Sequence, residues 1–263
     1  MEAYERMAAA VAAGEPAALA TVVRVEGSAP REVGAKMVVH ASGQTEGTVG
    51  GGKMEALVTQ AAVAAIAAGE PRMVHYDLRE IDAGDPGICG GTVDVYIDVA
   101  VPSPKLLLVG AGHVAMPVAE VAHMCGFRVV VVDDRADMAS AERFPHAERL
   151  VADIAESLRE YPITPQTYVV IVTRGHMLDE EALREVIGRS AAYVGMIGSR
   201  RKVHTLFEHL RAAGIDEALI QGVHSPIGID IGSQTPAEIA VSIVGEMIAV
   251  RRGQAPPGNR QRL

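Results

Sequence analysis

Residues 105–135 read KLLLVGAGHVAMPVAEVAHMCGFRVVVVDDR, and no other stretch restricts the fold as tightly. Residues 105–109 form a short apolar run of the kind buried in a parallel sheet. Gly110, Gly112 and Ala115 follow in the pattern G-x-G-x-x-A. Residues 117–124 carry Val118, Val121 and Ala122 at helical spacing, and a second apolar run, 127–132, ends in Asp133, Asp134 and Arg135. The order is strand, glycine turn, helix, strand, carboxylate. In such a unit the first glycine permits a tight turn and the second lets backbone approach a pyrophosphate. A small third residue lets helix and strand close up. The helix start offers free N–H groups to phosphates, and an acid about 20 residues on suits ribose hydroxyls. The segment predicts a nucleotide-binding βαβ unit with Gly110, Gly112, His113, Ala115, Asp133, Asp134 and Arg135 around the ligand. The paired acids disfavour a 2′-phosphate, so NAD fits better than NADP, although Arg135 keeps NADP open. The same turn also suits packing alone, and a nucleotide fold does not by itself specify an oxidoreductase.

The sequence around this unit keeps the alternation. Strands are expected at 149–151, 167–172 and 192–197. Helices are expected at 137–144, 153–161, 179–187, 201–213 and 235–250, while 217–223 reads equally as helix or strand. Residues 105–252 are therefore a Rossmann-type, doubly wound parallel sheet. Residues 1–100 read differently. A helix (4–13), strands (17–25 and 35–40), a helix (53–68) and strands (72–78 and 92–99) predict a smaller α+β domain with a mostly antiparallel sheet. Loops are expected over 44–52 and 81–91. The sequence VPSP at 101–104 marks a linker, and 253–263 reads as a flexible tail.

Composition narrows the partners. A formal net charge of −9 and a pI near 5.5 argue against nucleic acid or an anionic membrane. Two cysteines, Cys89 and Cys125, with no CxxC pair exclude a disulfide framework and fit a reducing cytoplasm. Glu2 and Glu5 fit an amphipathic helix rather than a signal peptide, and no apolar run is long enough to span a membrane.

Four further stretches carry candidate chemistry. GTVGGGKME places Gly50, Gly51 and Gly52 before a helix, where successive N–H groups can nest an anion or a pterin edge. EGSAPR holds Arg31, a residue suited to bidentate grip on phosphate. GICGG sets Cys89 among glycines, where N–H groups can lower a thiol pKa; Cys125 reads as structural. GMIGSRRK brings Gly198, Ser199 and Arg200 to the carboxyl edge of the sheet, where ligands bind. The alternatives are a tight turn, a surface salt bridge, an inert thiol and a capped helix. His113, His176 and His224 show no zinc spacing, and Thr235 to Glu238 is a capping box that calls for no function.

EGSAPR, GTVGGGKME, GICGG, GAGHVA, VVVVDDR, VTRGHMLD, VGMIGSRRK and PIGIDIGSQTPAEIAVSI occur in this order. Together they resemble the xanthine dehydrogenase accessory factor family (XdhC/CoxI). The resemblance implies a distinctive N-terminal domain followed by a Rossmann domain. It implies a cytoplasmic maturation factor that binds molybdenum cofactor (molybdopterin), supports exchange of an oxo for a sulfido ligand, and passes the cofactor to an apo molybdenum hydroxylase. A homodimer and a cysteine desulfurase partner are further expectations. In that setting Gly50, Gly51, Gly52 and Arg31 supply an anion and pterin site, and Cys89 a sulfur relay. The alternative is an NAD(P)-dependent oxidoreductase of a small substrate, with His113 or His176 as proton donor.

Overall fold

A computed structural model of the chain describes residues 2–81 and 90–254. The chain divides into two compact units, residues 1–102 and 103–263.

The first unit is a five-stranded antiparallel sheet with a helix against each face. Its elements are α1 (Ala3–Ala12), β1 (Ala17–Glu26), β2 (Lys36–His40), β3 (Thr45–Gly47), α2 (Gly52–Ala68), β4 (Arg72–Asp77), α3 (Leu78–Ile81) and β5 (Thr92–Ala100), with strand order β3-β2-β1-β5-β4. Strand alternation divides the core. Ala18, Ala20 and Val22 of β1 pack with Val58, Ala62 and Ala65 of α2, whereas Ala17 and Leu19 pack with Met7 and Ala10 of α1. A bulge between Val22 and Arg24 shifts the β1–β5 register ahead of the EGSAPR loop. The edge strand β3 replaces part of the loop expected at 44–52. It is only 3 residues long and ends at Gly47, where an added Cβ would lie 2.6 Å from the Lys36 carbonyl. Such a strand has no side-chain pattern to announce it. Cys89 and most of the GICGG loop lie outside the described residues.

The second unit is a five-stranded parallel sheet, ordered β10-β9-β6-β7-β8. Its strands are β6 (Lys105–Val109), β7 (Arg128–Asp133), β8 (Ala147–Val151), β9 (Thr167–Ile171) and β10 (Tyr193–Met196). Its helices are α4 (Ala115–Met124), α5 (Ile154–Glu160), α6 (His176–Val186), α7 (Arg200–Ala212), α8 (Glu217–Gln221) and α9 (Pro236–Arg251). This is the Rossmann order, with its switch point between β6 and β9. Leu106 and Leu108 pack under α4 and α9; Leu107 and Val109 face α5, α6 and α7. Burial on both faces explains the unbroken apolar runs. The capping box of α9 is present, with Thr235 accepting from the Glu238 N–H at 3.3 Å and Glu238 accepting from the Thr235 N–H at 2.9 Å.

Two local expectations are corrected, and the open choice at 217–223 resolves to helix. Residues 137–144 form turns rather than a helix. Arg143 donates to the Met138 carbonyl and Arg149 to the Phe144 carbonyl, so side chains close this backbone in place of a helical ladder. Helix α6 begins at His176, three residues before the expected start, because Asp179 reaches back to the Thr173 N–H. Residues 217–221 are helical, capped by Asp216. No helix among the described residues is long and apolar enough to cross a membrane. The expected tail falls mostly on residues 255–263, outside the described range.

Candidate functional site

The glycine turn leaves β6 at the switch point. Gly110 has φ +100°, and an added Cβ would lie 2.7 Å from the Val172 carbonyl oxygen. That glycine is therefore demanded by the close approach of β9, with or without a ligand. Gly112 differs: a Cβ there would meet nothing within 4 Å. Ala115 is fully buried under the sheet's first face, and His113 is exposed. Val114 caps α4 without a side-chain hydrogen bond.

The acid at the end of β7 is not free. Asp133 is 1% exposed, and its Oδ2 accepts from the Ala111 N–H at 2.7 Å and from Arg135 Nη2 at 2.9 Å. Its Oδ1 accepts from Arg135 Nε at 2.8 Å and the Arg135 N–H at 3.0 Å. Burial opposes the charge, but the Arg135 and Ala111 hydrogen bonds outweigh it and hold the carboxyl below its ordinary range. Arg143 Nη2 donates to the Ala111 carbonyl at 2.9 Å, so Ala111 is held at both ends. Asp134 is the exposed acid, and Arg174 grips it with Nη1 at 2.5 Å and Nη2 at 2.8 Å. That fork holds Asp134 at about 2. Since β6 lies between β7 and β9, the Arg174–Asp134 pair spans the strand that carries the glycine turn.

The next two loops lie at the same carboxyl edge. After β9, buried Asp179 accepts from the Thr173 N–H at 3.1 Å and its hydroxyl at 2.7 Å. Burial pushes its carboxyl up, partly offset by those bonds. After β10, Gly198 runs close to Val203 and Ser199 caps α7 through the Lys202 N–H. Ser199, His176, Glu180, Arg201, Lys202 and His209 line a groove of about 380 Å³ between α6 and α7. Arg200 does not line it. Behind this edge, fully buried Glu246 accepts from the Tyr193 hydroxyl at 2.6 Å and the Gly228 N–H at 2.8 Å. His224 Nδ1 lies 3.2 Å from the same carboxylate. The network pins residues 224–228 alongside β10.

The first unit brings three motifs together. A Cβ on Gly50 would lie 2.7 Å from Pro30, and one on Gly91 would lie 2.3 Å from the Glu26 carbonyl oxygen and 2.7 Å from that of Ser28. EGSAPR thus packs against both GTVGGGKME and the end of GICGG. Arg31 is exposed beside this junction. The glycine nest is partly filled from within. Glu55 accepts from the Gly51 N–H at 3.2 Å and the Thr48 hydroxyl at 2.6 Å, and Thr48 accepts from the Gly50 N–H at 3.2 Å. Gly51 and Gly52 face open space.

Sequence reasoning assigned no roles to Glu55, Arg143 and Glu246. Glu55 was legible as the acid of GGGKME. Arg143 and Glu246 had no local signal, because their partners lie 32 and 53 residues away. Among the described residues no buried side-chain polar atom lacks a partner, and no three His, Cys, Asp or Glu side chains group for a metal.

The model of the XdhC Rossmann domain matches residues 106–247, and that of the XdhC and CoxI family matches residues 10–77. This chain belongs to the XdhC/CoxI family. It is 36% identical over 246 residues to the uncharacterized protein YqeB of Escherichia coli K12, covering 92% of this chain and 45% of that protein. It is 30% identical over 168 residues to a probable xanthine dehydrogenase subunit of Bacillus subtilis, covering 61% of this chain and 47% of that protein. The chain thus covers less than half the length of each of these curated relatives. A crystal structure from Bacillus halodurans, described as a xanthine dehydrogenase, shares the fold of this chain. Its TM-score is 0.54 at 24% identity, with 97% of each chain covered.

Proposed function

We propose that this protein is a maturation factor for molybdenum hydroxylases such as xanthine dehydrogenase. In this reading it binds molybdenum cofactor, supports its sulfuration and delivers it to the apo-enzyme. Family membership and the Bacillus subtilis relative support the association with xanthine dehydrogenase. The observation that carries the cofactor reading is the convergence of EGSAPR, GTVGGGKME and Gly91 in the first unit.

The donor set there fits the group. Molybdenum cofactor is a pterin with a phosphate, and its own dithiolene holds the metal, so a protein metal cage is not required. Exposed Arg31 offers a planar fork for phosphate. The open backbone at Gly51 and Gly52 lets a flat ring approach. Glu55 and Thr48 fix the nest from below and present its polar edge. When bound, the cofactor supplies a molybdenum centre whose oxo ligand is exchanged for sulfido. Cys89 is the sulfur relay in this proposal and a cysteine desulfurase the sulfur source. The protein acts as a homodimer.

A second reading, an NAD(P)-dependent oxidoreductase, is favoured by the open space over Gly112 and by the start of α4, which has no side-chain cap. It is weakened by the engagement of Asp133 with the turn itself.

The test is anoxic purification of the full chain from its native host. Bound pterin, read by fluorescence after oxidation, should accompany molybdenum and the hydroxylase. A preparation with none of the three overturns the proposal, and turnover of NAD(P)H with a small substrate establishes the second reading.

A further inference from the structure

The groove between α6 and α7 is lined by residues outside the glycine turn, all from the second unit. Its lining is basic: His176, Arg201, Lys202 and His209 face one acid, Glu180. That acid is already neutralised. Its Oε1 accepts from Arg184 at 2.7 Å, and its Oε2 lies 3.0 Å from His209 Nδ1. Neither the Arg201 guanidinium nor the Lys202 ammonium forms a hydrogen bond or close ion pair with another described residue, and Lys202 acts only through space on the buried Asp179 carboxyl.

These cations also sit where helix physics disfavours them. Helix α7 is 13 residues long and opens with Arg200, Arg201 and Lys202, with no acid in its first turn. The helix dipole is positive at that end, so this cluster opposes it unless an anion is present. Helix α6, 11 residues long, places His176 at its own start on the other wall. The groove also has an apolar part. Leu206 and Thr205 line it, and the Thr205 hydroxyl donates to the Arg201 carbonyl at 3.2 Å.

We propose that this groove binds a phosphomonoester, its phosphate held by Arg201, Lys202 and the Ser199 hydroxyl and its planar or apolar body resting on Leu206 and Thr205. A dianionic phosphate matches the charge of Arg201 and Lys202, and the groove's volume of about 380 Å³ suits a small organic phosphate. The proposal does not rest on the maturation reading. A phosphomonoester is a chemical class that a pterin phosphate, a nucleotide or a sugar phosphate each satisfies.

The probe is phenyl phosphate, titrated calorimetrically into the full chain, with inorganic phosphate and benzyl alcohol as half-probes. Saturable binding is expected, weakening with added salt and tighter than for either half-probe. The double variant Arg201→Ala with Lys202→Ala should weaken it at least tenfold, and His204→Ala, outside the lining, should leave it unchanged. Ser199→Asp keeps a helix cap but puts a carboxylate in the groove. It should abolish binding while leaving the melting temperature at or above the parent's, which separates lost binding from lost folding. Absence of saturable binding in the parent, or unchanged affinity in the double variant and in Ser199→Asp, overturns the proposal. Neither result bears on whether molybdenum cofactor co-purifies.

Discussion

The Ala111 N–H donates to Asp133 Oδ2 at 2.7 Å, joining the glycine turn to the end of the neighbouring strand. The same carboxylate takes three N–H groups of Arg135. Removing it strands the Ala111 N–H and a guanidinium that is only about one-third exposed. Breaking such a buried pair costs about 3 kcal/mol. Asp133→Ala should lose about that much stability in urea unfolding. If Asp133 instead served ribose binding, stability would hold and nucleotide affinity alone would fall.

The second acid gives the opposite expectation. Asp134 and Arg174 form a surface fork, and pairs of that kind contribute about 0–1 kcal/mol. Arg174→Ala should therefore leave the melting temperature nearly unchanged. It frees the Asp134 carboxylate at the carboxyl edge. If Asp134 is the ribose acceptor, NAD affinity should rise up to about fivefold, the factor that corresponds to the lost pair. The pH dependence has a definite sign. Asp134 is depressed to about 2 by Arg174, so its contribution is present above the unfolded carboxylate value, about 4, and is lost as pH falls through about 2. The small gap expected between the melting temperatures of Asp134→Asn and the parent should close across that window, and a gap that persists below it would remove the assignment.

Buried Glu246 tests how the PIGIDIGSQ segment is held. Its carboxyl stays below the ordinary range although burial opposes it, because His224, Tyr193 and Gly228 all bond to it. Tyr193→Phe deletes one donor and leaves a buried carboxylate short of a partner, at a cost of about 1–3 kcal/mol. Glu246→Leu removes the acceptor of both the Tyr193 hydroxyl and the Gly228 N–H and should cost more. Both variants should increase amide exchange in residues 224–228 ahead of the sheet. Equal protection in parent and variants would show that the network does not hold this segment.

Elements with a strong period were readable because burial repeats with the backbone. The unbroken apolar start of β1 reports a helix packed on each face, the alternation in β5 reports one buried face, and the continuous runs in β6, β7 and β9 report helices on both sides of a parallel sheet. β3 and the turns at 137–144 were not, since a three-residue edge and side-chain-closed turns carry no period. At the candidate site the residue types were legible but their partners were not. The spacing from Gly110 to Asp133 fits a ribose acceptor, yet only three-dimensional placement shows that the carboxylate faces inward to Ala111 and Arg135. Likewise the acid of GGGKME gives no sign in sequence that it reaches the Gly51 N–H.

The junction in the first unit separates architecture from sulfur chemistry. Gly91 admits no side chain: an added Cβ meets the Glu26 carbonyl oxygen at 2.3 Å and the Ser28 oxygen at 2.7 Å, both backbone atoms that cannot rotate away. Overpacking costs about 1–3 kcal/mol, and backbone against backbone belongs at the upper end. Gly91→Ala should lower the melting temperature and displace EGSAPR, and, under the proposed function, abolish both pterin retention and hydroxylase activation. Cys89→Ala is the contrasting variant two residues earlier. It should fold and retain pterin as the parent does, and lose hydroxylase activation only if the thiol relays sulfur. Full activation in Cys89→Ala removes the relay from the proposal while leaving the Arg31 site standing. Loss of pterin in Cys89→Ala would instead make the cysteine part of the binding site.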